Sequence, residues 1–177
     1  MSNCIRPLEA SDVAQAFALS QAVGWNQTAA DWRLAIEMNP AGCFATDVDG
    51  AVMATTTSIR YGTELGWVGM VLTHPQYRGR GFADALVRRA LDHLSDVETI
   101  KLDATEMGAP LYRRLGFEDE CVIERWIGQG RYFEADVSEP GRGGHFAAAV
   151  ADMRVPDCDV QSTLRLLRSG YGRRPAV

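Results

Sequence analysis

The sequence predicts a single α/β (α+β) domain, since segments with strand and helix patterns follow one another along most of the chain. Three observations support this prediction: a buried apolar strand near the middle, a glycine-rich turn that joins it to an amphipathic helix, and a second strand–helix pair further on. The chain has 177 residues, of which 46% are hydrophobic, and this is enough for one ordinary globular core.

The first third of the chain predicts a strand, two helices and a hairpin. Ser11 and Asp12 are suited to cap the first helix, and Thr28 is suited to cap the second. Asp49-Gly50 between two β-prone runs is a strong hairpin signal. The predicted elements are a strand over residues 5–8, helices over 12–24 and 28–38, and strands over 43–48 and 51–61.

The central strand is predicted over residues 67–73, where apolar residues precede His74-Pro75. After Gln76 comes a turn containing Gly79 and Gly81, and then a helix with apolar residues at helical spacing: Leu86, Val87, Ala90, Leu91 and Leu94. A glycine-rich turn therefore connects a strand to the N-terminus of a helix.

This junction predicts a binding site for a pyrophosphate. The first N–H groups of a helix have no partner within it and carry partial positive charge. Gly79 and Gly81 let an anion approach the backbone, and Arg78 and Arg80 add positive charge. The turn is neither a P-loop, which needs a Gly-Lys-Ser/Thr ending, nor a Rossmann turn, which needs glycine where Asp84 stands.

A second strand and a short helix follow at residues 99–105 and 109–115. Pro110 suits a first helical turn, and Gly116 suits the position just after a helix. The helix contains Tyr112 in the run Ala-Pro-Leu-Tyr-Arg-Arg-Leu-Gly-Phe.

Two motifs in this order resemble the GNAT superfamily of N-acetyltransferases. They are Gln-x-x-Gly-x-Gly followed by a small residue, and the Leu-Tyr-x-x-Leu-Gly-Phe run after a strand. The resemblance covers roughly residues 3–127. It implies a mixed, twisted sheet of six or seven strands, with helices on both faces.

The resemblance also implies acetyl-CoA as the cofactor. The pantetheine is expected along the central strand and the pyrophosphate on the glycine loop. The cofactor-binding residues implied are Met70, Val71, Leu72, Tyr77, Arg78, Gly79, Arg80, Gly81, Phe82, Ala83, Ala109 and Tyr112.

Tyr112 is implied as the catalytic residue that faces the thioester sulfur. A tyrosine titrates near 10 and a thiol near 8.5, so full proton transfer to the leaving thiolate is uphill by about 2 kcal/mol. Two alternatives remain at this point. Either the site lowers the pKa of Tyr112, with Arg113 and the helix N-terminus as possible causes, or the hydroxyl mainly donates a hydrogen bond.

The acceptor is predicted to be a primary amine of a small molecule or peptide. Freeing a lysine-type amine at pH 7 costs roughly 4.6 kcal/mol, whereas an α-amine near 8 costs about 1.4 kcal/mol. Glu64 is the first candidate base, slightly off the position of a glutamate in some family members. The other candidates are Asp103, Glu106 and His74.

The resemblance places the acceptor groove near Trp25, Asn26 and Trp32. For the two tryptophans, a place in the core is the alternative. For Asp31, which lies in the same region, the alternative is helix capping.

The composition limits which partners, cellular location and metals are expected. A net charge of −5 argues against nucleic acid, and no apolar run suggests a membrane span or signal peptide, so we expect a cytoplasmic protein. The four cysteines lack zinc-ligand spacing, so no metal is expected.

Residues 1–135 are predicted to form the acetyltransferase domain and residues 136–177 a C-terminal tail. A further strand is possible over 131–135, and short helices are possible over 146–153 and 160–167. The tail is expected to pack on the domain or to form a homodimer contact. Some relatives with a similar Trp25-Asn-Gln-Thr loop carry a second domain, for which too little chain remains here.

These observations predict transfer of an acetyl group from acetyl-CoA to an amine. Two alternatives stay open, namely transfer of a different acyl group and a non-catalytic CoA-binding module on the same fold.

Overall fold

The computed structural model describes residues 4–126 and 158–167. In this part of the chain there are seven strands and four α-helices. The strands are β1 (Ile5–Pro7), β2 (Cys43–Val48), β3 (Ala51–Tyr61), β4 (Leu65–Thr73), β5 (Thr99–Ala104), β6 (Glu118–Trp126) and β7 (Cys158–Leu167). The helices are α1 (Val13–Ala22), α2 (Ala29–Met38), α3 (Phe82–His93) and α4 (Ala109–Arg114).

The strands form one mixed sheet in the order β1-β2-β3-β4-β5-β7-β6. Neighbouring strands are antiparallel except for β4 and β5, which are parallel and are joined through α3. The predicted class, a mixed sheet with flanking helices, is confirmed.

Two cores lie on the two faces of this sheet. On one face, α3 and α4 pack with residues such as Leu86, Ile100 and Phe117. On the other face, α1 and α2 pack around Trp32 and Leu72. Because both faces are covered, β4 is flanked by a core on each side, which explains why its sequence, Leu-Gly-Trp-Val-Gly-Met-Val-Leu-Thr, is apolar almost continuously.

Local sequence signals place several element ends where they were predicted. Thr28 caps α2 in a capping box, in which its hydroxyl accepts from the Asp31 N–H and the Asp31 carboxylate accepts from the Thr28 N–H. Asp49 and Gly50, with φ of 53° and 80°, form the turn between β2 and β3.

Asp12 stands at the N-cap position of α1, but the prediction that its side chain caps this helix is wrong. Its carboxylate makes no side-chain cap for α1, and a short 3₁₀ turn over Ala10–Asp12 precedes the helix. Instead Asp12 binds the guanidinium of Arg6, with Nη1 to Oδ2 at 2.6 Å, and accepts from the Glu9 N–H. Asp47 binds the same guanidinium at 2.6 Å, so this arginine links β1 to β2 and to the start of α1.

The helix predicted over residues 160–167 is also wrong. The structure has strand β7 there, and this strand lies between β5 and β6 and pairs antiparallel with both. Leu164 of β7 is fully buried in the α3–α4 core. Residues 158–167 are therefore part of the sheet rather than a peripheral tail. The predicted strand over 131–135 and helix over 146–153 lie outside the described residues.

No helix in the described part of the chain has the length and apolar character needed to traverse a bilayer.

Candidate active site

The candidate site is built on an open stretch of β4. Strand β4 pairs with β5 only from Leu65 to Trp67, opposite Thr99 to Lys101. From Val68 onwards, β4 pairs with β3 on one side and with none of the described strands on its other side. The N–H and C=O groups on the other side of β4 thus face a notch between two diverging strands, and an extended molecule with amide groups can pair with them.

A β-bulge lies in the same stretch. Thr55 pairs with Leu72 and Thr57 pairs with Gly69, so two residues of β4, Met70 and Val71, lie opposite one residue of β3. Met70 has φ of 46°, a left-handed conformation that is uncommon for a residue with a side chain. The Thr55 hydroxyl donates to the Met70 carbonyl at 3.0 Å.

The glycine loop follows β4 directly. A short 3₁₀ turn over Pro75–Tyr77 leads to Gly79 and Gly81, with φ of 75° and 82°, and Gly81 is the N-cap of α3. A Cβ at either glycine would meet nothing within 4 Å, so both face open space. Because Gly81 has no side chain to cap the helix, the first N–H groups of α3 point into this space.

The charged side chains of the loop are available to an anion. Arg78 and Arg80 are exposed, and neither is in a salt bridge with any residue of the described ranges. The Arg80 guanidinium lies 4.6 Å from the centre of the Tyr77 ring, which itself stacks on Phe82. Phe82 is buried, so only its backbone can reach a ligand in the loop.

Tyr112 is on α4 and is only 6% exposed. Its ring packs edge-to-face against Phe117, and a Cβ at Gly108 would lie 3.2 Å from the Tyr112 ring. Burial raises the pKa of Tyr112 to about 12. This direction is opposite to the lowering considered above for Arg113 and the helix N-terminus, and it favours the alternative in which the hydroxyl donates a hydrogen bond. Arg113 is exposed and binds Asp119, with Nη2 to Oδ1 at 2.8 Å.

The four candidate general bases lie in different parts of the structure. Glu64 is exposed in the turn before β4, and at about 3.3 Å per residue it lies roughly 13 Å along the chain from the first open residue, Val68. Asp103 accepts from the Thr163 hydroxyl at 2.8 Å. His74 accepts from the Gln76 N–H and contacts Tyr77. Glu106 lines a small cavity of about 350 Å³ beside Ala109.

A cleft of about 470 Å³ adjoins the bulge on the face that carries α1 and α2. One end is polar and the rest is apolar, with α2 as one wall. The lining residues are Asn26, Gln27, Asp31, Leu34, Ala35, Met38, Ile59 and Met70. Met70 thus belongs both to the open strand and to the cleft. Sequence reasoning named Asn26 but missed Leu34 and Met38, which are unusually exposed for apolar residues on a helix.

Of the two tryptophans expected in the groove, Trp32 is not there. It is fully buried, and its indole N–H donates to the Ser20 hydroxyl at 2.9 Å, so it is a core residue that holds α1 against α2. Trp25 is half-buried and packs against the same core. Asp31 lines the cleft and also caps α2, so both alternatives for that residue apply.

Comparison with known proteins agrees with this geometry. Residues 39–119 match the family described as Acetyltransferase (GNAT) domain. No curated protein matches the chain by sequence.

Among solved structures, the chain is similar to Ard1 from Thermoplasma volcanium, with TM-score 0.70, 12% identity, and 94% of this chain and 98% of that chain covered. It is similar to the ribosomal-protein-S18-alanine N-acetyltransferase from Escherichia coli, with TM-score 0.68, 16% identity, and coverage of 99% and 100%. It is also similar to the PaiA N-acetyltransferase from Thermoplasma acidophilum, solved in complex with coenzyme A, with TM-score 0.59, 13% identity, and coverage of 68% and 92%.

The resemblance inferred from the two sequence motifs is therefore confirmed: residues 39–119 match the GNAT acetyltransferase domain, and the chain has the GNAT fold.

Proposed function

We propose that this protein transfers an acetyl group from acetyl-CoA to a primary amine. The observation that carries the proposal is the continuous path from the open edge of β4 into the glycine loop at the N-terminus of α3. Strand edge and anion site follow each other along the chain, and this order suits a molecule with amides at one end and a diphosphate at the other.

The residues of the loop fit a diphosphate. Two glycines face open space, the first turn of α3 offers backbone donors, and Arg78 and Arg80 are not neutralised by acidic side chains of the described residues. Hydrogen bonds to a charged group are worth roughly 1.5–3 kcal/mol each, so a few of them suffice for a stable complex. Asp84 in the same turn is paired with Arg88, with Oδ2 to Nε at 2.8 Å, which reduces its repulsion of an anion.

When bound, acetyl-CoA supplies an activated thioester. The backbone of residues 70–72 would hold the pantetheine arm, and the Tyr112 hydroxyl would serve as a hydrogen-bond donor to the thioester sulfur. Burial raises the pKa of Tyr112 and so makes loss of its proton more costly, which favours a role as hydrogen-bond donor over a role as proton source.

The cleft beside Met70 is the proposed acceptor site. Its polar end, with Asn26 and Asp31, suits an amine, and its apolar wall suits a carbon chain. The acceptor nitrogen would reach the thioester next to the bulge, since Met70 borders both spaces. We retain Glu64 as a proposed base, acting through water because of its distance from the open stretch of β4.

A turnover assay tests the proposal. The wild-type protein is incubated with acetyl-CoA and a panel of amines: an aliphatic monoamine, a polyamine, and peptides with a free α-amine or a lysine. We expect thiol release and an acetylated amine by mass spectrometry for at least one class. Tight CoA binding without any acetylated product would instead support the binding module, and faster reaction with succinyl-CoA would support another acyl group.

A further inference from the structure

The Thr55 hydroxyl occupies a special position in the sheet. Thr55 lies on β3, is fully buried, and donates to the Met70 carbonyl of β4 at 3.0 Å. In an ordinary antiparallel pair of strands, the backbone N–H and C=O groups of one strand bond to those of the other, and no side chain takes part. Here a side chain of one strand bonds to the backbone of the next at the point where the register between the two strands shifts.

The residue it holds is strained. Met70 has φ of 46°, and the left-handed region is unfavourable for residues other than glycine, asparagine and aspartate. Such conformations persist only where the surrounding structure enforces them, and they cluster at ligand-binding sites. The hydrogen bond from Thr55 is a specific interaction that fixes the orientation of the Met70 peptide group.

That orientation affects both proposed substrates. Successive residues of a strand point their N–H and C=O groups alternately to the two sides, and one extra residue resets this alternation beyond the bulge. The bulge therefore decides which groups of β4 face the notch. It also directs the Met70 side chain into the cleft.

We propose that Thr55 is a positioning residue for the acyl donor, which holds the bulge at Met70 and so aligns the open edge of β4. This inference rests on the proposed function, since it assumes that CoA lies along that edge. Thr55 contacts no substrate in this proposal and acts only through Met70.

The adjacent residue provides a matched control. Thr56 is also fully buried, points to the opposite face of β3, and its hydroxyl has no hydrogen-bond partner among residues 4–126 and 158–167. Thr55→Val and Thr56→Val are the same chemical change at neighbouring positions. Only the first removes the bond to the bulge.

The experiment measures CoA affinity by calorimetry, which needs no acceptor. Thr55→Val is expected to weaken CoA binding about 3- to 10-fold, corresponding to the loss of one hydrogen bond. Thr55→Ser keeps the hydroxyl and is expected to bind like the wild type, as is Thr56→Val. Wild-type affinity in Thr55→Val would overturn the inference, even if that variant were less stable to heat.

A second pair of variants separates positioning from general damage to the sheet. Glycine adopts a positive φ without strain but is also freer to leave it, so Met70→Gly removes the strain and leaves the peptide group dependent on the hydrogen bond from Thr55. In the Met70→Gly background, adding Thr55→Val should therefore weaken CoA binding at least as much as it does in the wild-type protein. A clearly smaller loss in that background would overturn the inference. If the wild-type protein itself fails to bind CoA, the proposed function fails first, and this outcome is distinct from the others.

Discussion

The hydroxyl of Tyr112 offers the sharpest test of the proposed chemistry. Replacing Tyr112 by Phe removes one oxygen from a buried ring and leaves its packing against Phe117 in place. If the hydroxyl stabilises the departing thiolate, the change affects the transition state far more than the ground state. We then expect kcat to fall while KM for acetyl-CoA stays within a few-fold.

The size of the effect follows from the pKa. With the pKa of Tyr112 raised to about 12 and a thiol pKa near 8.5, full proton transfer is uphill by about 5 kcal/mol, compared with about 2 kcal/mol from the reference values. Proton transfer is therefore disfavoured, and the hydroxyl acts by donating a hydrogen bond to the charged sulfur. Such a hydrogen bond stabilises the transition state by roughly 1.5–3 kcal/mol. We therefore expect Tyr112→Phe to lower kcat by roughly 10- to 150-fold.

The pH dependence distinguishes the two roles. A hydroxyl that stays protonated up to about pH 12 gives a constant ratio of wild-type to variant kcat from pH 6 to pH 10. The assay is steady-state turnover with an acceptor found in the amine screen, under conditions where chemistry limits the rate. Tyr61→Phe is the control, since Tyr61 is 51% exposed at the end of β3. A ratio that falls above pH 8 would refute the argument, because Tyr112 would then be losing its proton in that range.

Three further predictions concern the loop, an ion pair and the last described strand. Gly81→Asp should weaken CoA binding at least tenfold by calorimetry, whereas Gly81→Ala, which adds a similar backbone strain without the charge, should weaken it less. The hydrogen bond from Arg6 lowers the pKa of Asp12, so this pair stabilises the fold above the ordinary carboxyl pKa and less as pH falls below it. Asp12→Asn should therefore lower the free energy of unfolding at pH 7 by roughly 1.5–3 kcal/mol, seen as a lower Tm. The difference in Tm from the wild type should be smaller near pH 3. Equal differences at both pH values would contradict this. A chain ending at Ala135 lacks β7 and should show no cooperative thermal transition by circular dichroism, while a sharp transition would show that the sheet forms without it.

The order of elements was predictable because most signals are local. The cap at Thr28, the Asp49-Gly50 turn and the glycine loop each depend on a few adjacent residues, and they appear where the sequence indicates them. The glycine loop has the backbone geometry that its sequence indicates, with positive φ at Gly79 and Gly81, since this geometry depends on the residues nearby; its role in binding CoA stays a prediction.

Features that depend on distant residues were not predictable in the same way. Val160, Leu164 and Leu167 fit helical spacing, while Val160, Leu164 and Leu166 fit a strand, and only pairing with β5 and β6 decides between them. Trp32 packs in the core against residues of α1, and its indole N–H donates to Ser20, twelve residues earlier on that helix. Nothing near Met70 in the sequence indicates a left-handed residue, because the bulge arises from the register between β3 and β4.

The position of β7 has a consequence for how the protein is made. Strands β5 and β6 do not pair with each other, and each pairs with β7, which leaves the ribosome after both of them. Until then β5, which borders the proposed pantetheine notch, has an unpaired edge on its other side. The pairing of Thr99 with Leu167 joins residues that are far apart in the sequence, and contacts of this kind raise the contact order and slow folding. The backbone groups on this edge of β5 thus stay unpaired until residues 158–167 have been made, and an unpaired strand edge is a site at which chains can aggregate.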